Sequence, residues 1–338
     1  MSVTANATQG ASGARTDVSI VMAAYNAENT IADAIQSVVN QQGAPPQLVI
    51  VDDGSTDATL GIANRFASLY EWIQVLSKMN GGTASAVNAG MHVATGTFVA
   101  RLDADDELGP YYMETLRQFV RMQPGFDIYA PDLWLVRADG LRSRVFGWNT
   151  VRSLRVEDLL NGGFIPGAAT LVRKSVVENV GGYREGIRNE DHDFWLRALA
   201  RGARHVYVPE PLYLYKQRDT GQKTSNAGAM YESNAQILED LLSEGALDEW
   251  QSQMAERTIA DYRHRIAEIR ELGGRSVDQI MAESAAARLD FLRRALTRVF
   301  SERGAQQIIR VIYGLRWIAR PFRKAIWRMR HWLRGSGR

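Results

Sequence analysis

Hydrophobic and polar positions along the first hundred residues switch repeatedly between two periods. Val18–Ala24 is a continuous, β-rich apolar run, and Ile31, Ile35, Val38 and Val39 then recur at helical spacing behind Asn26 and Glu28. Leu48–Val51 is a second apolar run, ending in Asp52-Asp53-Gly54-Ser55-Thr56-Asp57, where Ser55, Thr56 or Asp57 can cap a helix carrying Leu60, Ala63 and Phe66. Trp72–Leu76 predicts a third strand, Ala84–Ala94 a helix and Thr97–Leu102 a fourth strand. Continuous apolar strands separated by amphipathic helices predict an α/β fold, a mainly parallel sheet sandwiched by helices.

The C-terminal third has a different pattern. A helical stretch from about Asn226 to Leu272 leads to a stripe of Ile308, Ile312, Leu315, Ala319, Phe322, Ile326, Met329 and Leu333, flanked by Arg316, Arg320, Arg323, Arg330 and Arg334. Trp317, Trp327 and Trp332 lie in the same segment, and Pro321 predicts a kink. From Ser284 onward there are fourteen Lys or Arg against two acids, a local net charge of +12 within a whole-chain value of +2, which leaves the preceding residues at −10. A basic amphipathic helix with tryptophans fits an anionic membrane surface; packing on the body, or self-association into an oligomer through the stripe, is the alternative. Nucleic acid is not an expected partner, because no base-stacking or recognition module accompanies the charge.

Composition narrows the chemistry. The 338 residues, 45% hydrophobic, provide for one large domain and an appendage, read as a disordered lead over 1–16, a body over 17–225 and a helical extension over 226–338. Cysteine is absent, which excludes disulfides, thiolate nucleophiles and cysteine-bound zinc and fits a reducing, cytoplasmic setting. The five histidines show no metal-ligand spacing. The lead lacks the basic and apolar regions of a signal peptide, and no window is apolar enough to span a bilayer. No Gly-x-Gly-x-x-Gly follows the first strand and no P-loop occurs, so dinucleotide and P-loop readings drop out.

The most informative stretch is Val99-Ala100-Arg101-Leu102-Asp103-Ala104-Asp105-Asp106-Glu107, an apolar strand running into three aspartates that packing does not require. Clustered carboxylates repel and persist where something positive sits among them, and a divalent metal carrying a phosphate ester is the natural candidate. The bland reading is an acidic loop capping a helix that starts near Pro110. Ligands of open α/β sheets bind beyond the carboxyl ends of strands. Three such ends carry polar groups here: Tyr25-Asn26, Asp52-Asp53 and Asp103–Asp106, with the turn Asn80-Gly81-Gly82 nearby.

Later, Asn161-Gly162-Gly163-Phe164-Ile165-Pro166-Gly167 precedes a strand over Ala168–Val172, and Asn189-Glu190-Asp191-His192-Asp193-Phe194-Trp195-Leu196-Arg197 opens a helix. Helical spacing sets Asp191 on the face of Phe194 and Trp195, so a carboxylate stands beside rings that can stack on a sugar. An N-terminal capping pair is the alternative.

The runs Val18–Glu28, Val49–Thr59, Asn80–Gly90 and Phe98–Asp106 resemble the nucleotide-sugar half of inverting family 2 glycosyltransferases with the GT-A (Rossmann-like) fold, and Glu190-Asp191 resembles that family's Glu-Asp motif. The resemblance covers roughly 17–220, a nucleotide half over 17–106 and an acceptor half over 107–225. It implies Tyr25 against the base, Asp53 accepting from the pyrimidine N–H, Lys78 near the pyrophosphate and Asp103 on the ribose. It further implies Asp105 on a divalent metal (Mn²⁺ or Mg²⁺), Asp191 as general base, and Glu190 and Trp195 on the acceptor side.

The implied activity is metal-assisted, inverting transfer from a UDP- or dTDP-sugar to a glycan or lipid-linked saccharide in bacterial surface or extracellular polysaccharide assembly. Its implied setting is the cytoplasm, at the cytoplasmic face of the membrane. A catalytically idle nucleotide-sugar-binding regulator is the alternative. Two departures stand out: Ala23 where the family usually has Pro, and no His in the polar loop 216–225, where Arg218 or Lys223 can hold phosphate and the loop can act as a lid. A Gln/Arg-x-x-Arg-Trp box, typical of processive synthases, is absent.

Overall fold

The structure, a computed structural model, describes residues 17–147, 150–217 and 227–271. The lead, Arg218, Lys223 and the basic tail lie outside the described residues. Four strands, β1 (Val18–Ala24), β2 (Gln47–Asp52), β3 (Ile73–Ser77) and β4 (Phe98–Asp103), form a parallel block in the order β3-β2-β1-β4. Helices α1 (Ile31–Val39), α2 (Thr59–Leu69) and α3 (Thr83–Val93) connect them, as the periodicity predicts. The N-cap position of α2 is Ala58 rather than Ser55, Thr56 or Asp57, and Asp57, one place earlier, accepts from the Thr59 amide at 2.9 Å.

Alternation along β1, β2 and β4 divides the core into two layers. Ile20, Met22, Ile50, Ala100 and Leu102 face α1 and its Ile31, Ile35 and Val38, together with Tyr112 and Leu116 of α4 (Tyr112–Met122). Val21, Val49, Val51 and Val99 face α3 and its Val87 and Met91. A sheet buried on both faces needs apolar residues of both parities, which explains the unbroken runs.

Beyond β4 the sheet becomes mixed. The strands β5 (Glu107–Leu108), β6 (Ile128–Val136), β7 (Arg142–Arg144), β8 (Leu171–Arg173) and β9 (His205–Lys216) continue the order as β4-β8-β6-β9-β5, with β7 on β6. Of these pairings only β6 with β9 is parallel. Register slips between Pro131 and Leu133, opposite the Pro209–Pro211 stretch, and the bulge accommodates prolines that have no ladder donor. Buried Asp132 satisfies the exposed backbone there, accepting from the amides of Leu133, Phe146 and Gly147 and pairing with Arg144 at 2.7 Å. The strand expected over Ala168–Val172 begins three residues later, because Ala169 takes a φ of 66°.

The remaining helices are α5 (Val156–Leu160), α6 (Lys174–Val180), α7 (Glu190–Ala200), α8 (Ala227–Ser243) and α9 (Glu249–Glu271). Leu238 and Leu241 of α8, and Ala255 and Ile259 of α9, join the core cluster that holds Leu159, Phe194 and Trp195. The compact unit therefore runs to Ile266, well past the boundary expected near 225.

Candidate active site

Parallel register brings the first three polar strand ends together. Ala24 pairs with Asp52 and Ala23 with Asp103, so the segments after β1, β2 and β4 emerge side by side. They open onto a cleft of about 840 Å³. Its walls include Tyr25, Asp53, Arg101, Asp103 and Asp105 from the first half, and Phe164, Glu190, Asp191 and His192 from the second.

The Tyr25 loop stands on the turn after β2. Asn26, at a φ of 47°, donates its amide to Ser55 Oγ at 3.0 Å and accepts the Thr56 amide at 2.9 Å. Tyr25 itself is 54% exposed, its ring open to the cleft. Asp53 is buried against the Gly-rich turn, taking hydrogen bonds from Lys78 Nζ (2.9 Å), Gly81 N (3.0 Å) and Gly82 N (2.8 Å). Lys78 also donates to the Met79 carbonyl at 2.8 Å and is not among the lining residues. Its ammonium orients Asp53, where the resemblance implied the pyrophosphate.

The three carboxylates after β4 divide their work. Asp103 accepts from Arg101 Nε at 2.7 Å, and both Asp103 and Asp105 line the cleft. Asp106 turns away, accepting from Tyr213 Oη at 2.7 Å and the Lys216 amide at 2.8 Å, which ties the turn to β9. Burial, and then the charges of Asp103 and Asp105, push its carboxyl up to about 8. That upward push comes first from the burial of Asp106 and only then from its acidic neighbours. Among the described residues no group of three or more His, Asp or Glu is arranged to hold a metal. Asp105 presents a carboxylate to the cleft, a hard oxygen donor of the kind that takes Mg²⁺ or Mn²⁺ together with substrate phosphate.

Across the cleft, Asp191 stands in the first turn of α7. Its Oδ1 accepts from the His192 amide at 2.8 Å. Burial raises its carboxyl above the ordinary carboxylate range, the Glu190 charge adds to this, and Arg101 opposes it. A carboxylate made more basic in this way, at the edge of a cleft, suits the removal of a proton from a hydroxyl. His192 is held neutral, its imidazole lowered to about 4 by burial. The carboxyl of Asp191 lies directly against the Gly167 backbone: a Cβ on Gly167 would stand 2.5 Å from Oδ2 and 2.6 Å from the Asp191 Cβ.

Trp195 does not take the expected acceptor position. It is 1% exposed, packed edge-on against Phe194 at 4.8 Å, and Phe194 stacks on Tyr183 at 4.6 Å. The helix runs inward from the cleft, so residues three and four places on share the face of Asp191 one turn deeper, inside the core. The aromatic face on that side of the cleft belongs instead to Phe164, 47% exposed and leaning on Phe146 at 6.0 Å. Two further walls come from the helices after the sheet. Met230 and Asn234 of α8 and Tyr262 of α9 line the cleft, and Asn189 donates from Nδ2 to Asn234 Oδ1 at 2.6 Å. Sequence patterns carry no signal for these. Arg101 does carry one, a cation inside an apolar strand.

The profile of the glycosyl transferase family 2 matches residues 19–181. The putative glycosyltransferase EpsE of Bacillus subtilis (strain 168) is 30% identical over 230 residues, 64% of this chain and 81% of its own length. The chain belongs to glycosyl transferase family 2. The succinoglycan biosynthesis protein ExoO of Rhizobium meliloti (strain 1021) is also 30% identical, over 60% of this glycosyltransferase and 61% of its own chain. S. aureus TarS, solved with UDP-GlcNAc, superposes with a TM-score of 0.60 at 19% identity, over 73% of this chain and 71% of its own. The mannosyltransferase PcManGT of Pyrobaculum calidifontis, solved with GDP-Man and Mn²⁺, gives 0.54 at 15% identity, over 87% and 85%. The fold is the GT-A type that the resemblance implied. Of the residues expected at the site of this family 2 glycosyltransferase, Tyr25, Asp53, Asp103, Asp105, Glu190 and Asp191 line one cleft; Lys78 and Trp195 do not. No helix among the described residues is long and apolar enough to cross a membrane.

Proposed function

We propose that this glycosyltransferase moves a sugar from a UDP- or dTDP-sugar to a glycan hydroxyl, with inversion at the anomeric carbon, in the assembly of a bacterial surface or extracellular polysaccharide. The observation that carries the reading is one cleft lined both by Asp103 and Asp105 and by the raised carboxylate of Asp191. Asp53 supports a pyrimidine donor: Oδ1 already accepts two hydrogen bonds and Oδ2 one, which leaves Oδ2 a lone pair for a ring N–H. Tyr25 offers its ring to the base.

Asp103 faces the ribose, and Asp105 would hold Mn²⁺ or Mg²⁺, which when bound offsets the negative charge of the departing diphosphate. Asp191 takes the proton from the acceptor hydroxyl, whose oxygen bonds to the anomeric carbon from the face opposite the breaking bond to phosphate. One bond forms as one breaks, and the nucleoside diphosphate leaves with the bonding pair. Phe164 supplies an apolar face for the acceptor ring, and Glu190 stands beside the base. The name of ExoO supports the polysaccharide assignment. The basic segment after Ser284 carries the enzyme to an anionic membrane surface holding a lipid-linked acceptor, where it acts from the cytoplasmic face.

Nucleotide release from UDP-, dTDP- and GDP-sugars, each with Mn²⁺ or Mg²⁺, tests the reading. Asp191→Asn is expected to lower turnover more than 100-fold while the affinity for UDP with Mn²⁺ stays within about threefold. An equal loss of nucleotide affinity would remove Asp191 from the role of base.

A further inference from the structure

Arg101 is out of place by the rules that shape its strand. It sits fourth in β4, opposite Val21 of β1, and shares its sheet face with Val99 and therefore with the core layer that contains Phe194 and Trp195. An aliphatic residue there would extend that core. Instead a guanidinium is buried, its side chain 10% exposed, and its two bonds run to carboxylates on two different elements, β4 and α7. Nε donates to Asp103 Oδ1 at 2.7 Å, and Nη1 donates to Glu190 Oε1 at 3.2 Å, where the Glu190 side chain is 6% exposed. Nothing in the packing of β4 calls for a cation, and burying one costs free energy unless its partners are well placed.

The placement of those partners is informative. Asp103 ends the nucleotide-side strand, and Glu190 is the first residue of α7, immediately before Asp191. Asp191 has modest anchoring of its own: the His192 amide on Oδ1 and the Gly167 backbone against Oδ2. Asn189, at the start of the same helix, is held from the far side by Asn234. The geometry points to Arg101 as a positioning residue that fixes the first turn of α7, and with it the Asp191 carboxylate, against the donor-side Asp103. A planar fork directs two N–H groups along separate lines, whereas an ammonium is a single point. Lysine therefore keeps the charge and gives up one of the two tethers. This inference deepens the catalytic reading above and depends on it for its consequence in turnover, though not for the tether itself.

The test compares Arg101→Lys with wild type as the full chain, in three measurements. Hydrogen exchange read by mass spectrometry over residues 187–193 is expected to quicken about tenfold, with the segments of β1 and β2 unchanged. The affinity for UDP with Mn²⁺ is expected to stay within about threefold. Nucleotide release from the best donor of the panel is expected to fall by about 10- to 100-fold in kcat, with KM for that donor little changed, as for a displaced catalytic group. Wild-type exchange over 187–193 would overturn the proposal, because charge alone would then suffice. So would faster exchange spread evenly across β1–β4, which marks a purely structural role. If the exchange changes as expected while the wild type releases nucleotide from no donor, the tether stands and the catalytic reading falls.

Discussion

Replacing Gly167 by alanine adds one methyl group at the place where the candidate base rests. The new Cβ would sit 2.6 Å from the Asp191 Cβ and 2.5 Å from its Oδ2, whereas ordinary contact begins at 3.4 Å. Relief therefore needs a separation of about 0.8 to 0.9 Å. The loop cannot supply it easily, since Ile165 is buried and Thr170 Oγ1 grips the Pro166 carbonyl at 2.7 Å. The carboxylate is the softer partner and moves. A misplacement near 1 Å costs about 10²-fold in turnover, or about 2.7 kcal/mol of barrier. The assay is nucleotide release at saturating donor, alongside UDP affinity with Mn²⁺ and thermal melting. The expected result is a kcat about 100-fold down with nucleotide affinity within about threefold. Gly61→Ala is the matched control: Gly61 lies in α2 with nothing within 4 Å of where the added methyl would stand, and activity should not change. A Gly167→Ala enzyme within about threefold of wild type would refute the seating of Asp191 on this loop.

Other outcomes follow from the same geometry. Glu190 raises the Asp191 carboxyl, so Glu190→Gln should move the acid limb of the kcat–pH profile to lower pH; a shift upward would contradict the assignment. Asp106 binds its proton more tightly when folded, up to about 8 against 3.8 unfolded, so metal-free protein should lose stability as pH rises through that window, and Asp106→Asn should flatten the dependence of Tm on pH. Trp195→Ala should cost about 3–5 kcal/mol in urea unfolding because the ring is buried, whereas Phe164→Ala, at an exposed ring, should cost about 1 kcal/mol or less.

Much of the first half is legible because its signals are local. Unbroken apolar runs mean strands buried on both faces, and the polar residues after three of them mark the cleft without reference to any contact. The second half is less legible for definite reasons. Strands β6 and β9 carry Pro131, Asp132, Pro209 and Pro211, residues that ordinarily argue against a strand and are tolerated here by a paired bulge. Helical spacing puts Trp195 on the face of Asp191 correctly, yet spacing does not say whether the next turn points to solvent or core. Lys78 looks available for phosphate along the chain because its partner, Asp53, is 25 residues away. The separate duties of Asp105 and Asp106 depend on Tyr213, more than a hundred residues later.

The bond between Asn189 and Asn234 has a practical side. The match to the family itself ends at residue 181, and the helix that presents Asp191 and the two helices that wall the cleft behind it all follow that point. Trimming the protein after β9 would take Leu238 and Leu241 out of the core cluster that holds Phe194 and Trp195 and leave the Asn189 amide without Asn234 at the start of α7. Expression boundaries, and chimeras meant to exchange one specificity for another, therefore belong after α8 and α9 rather than at the end of β9.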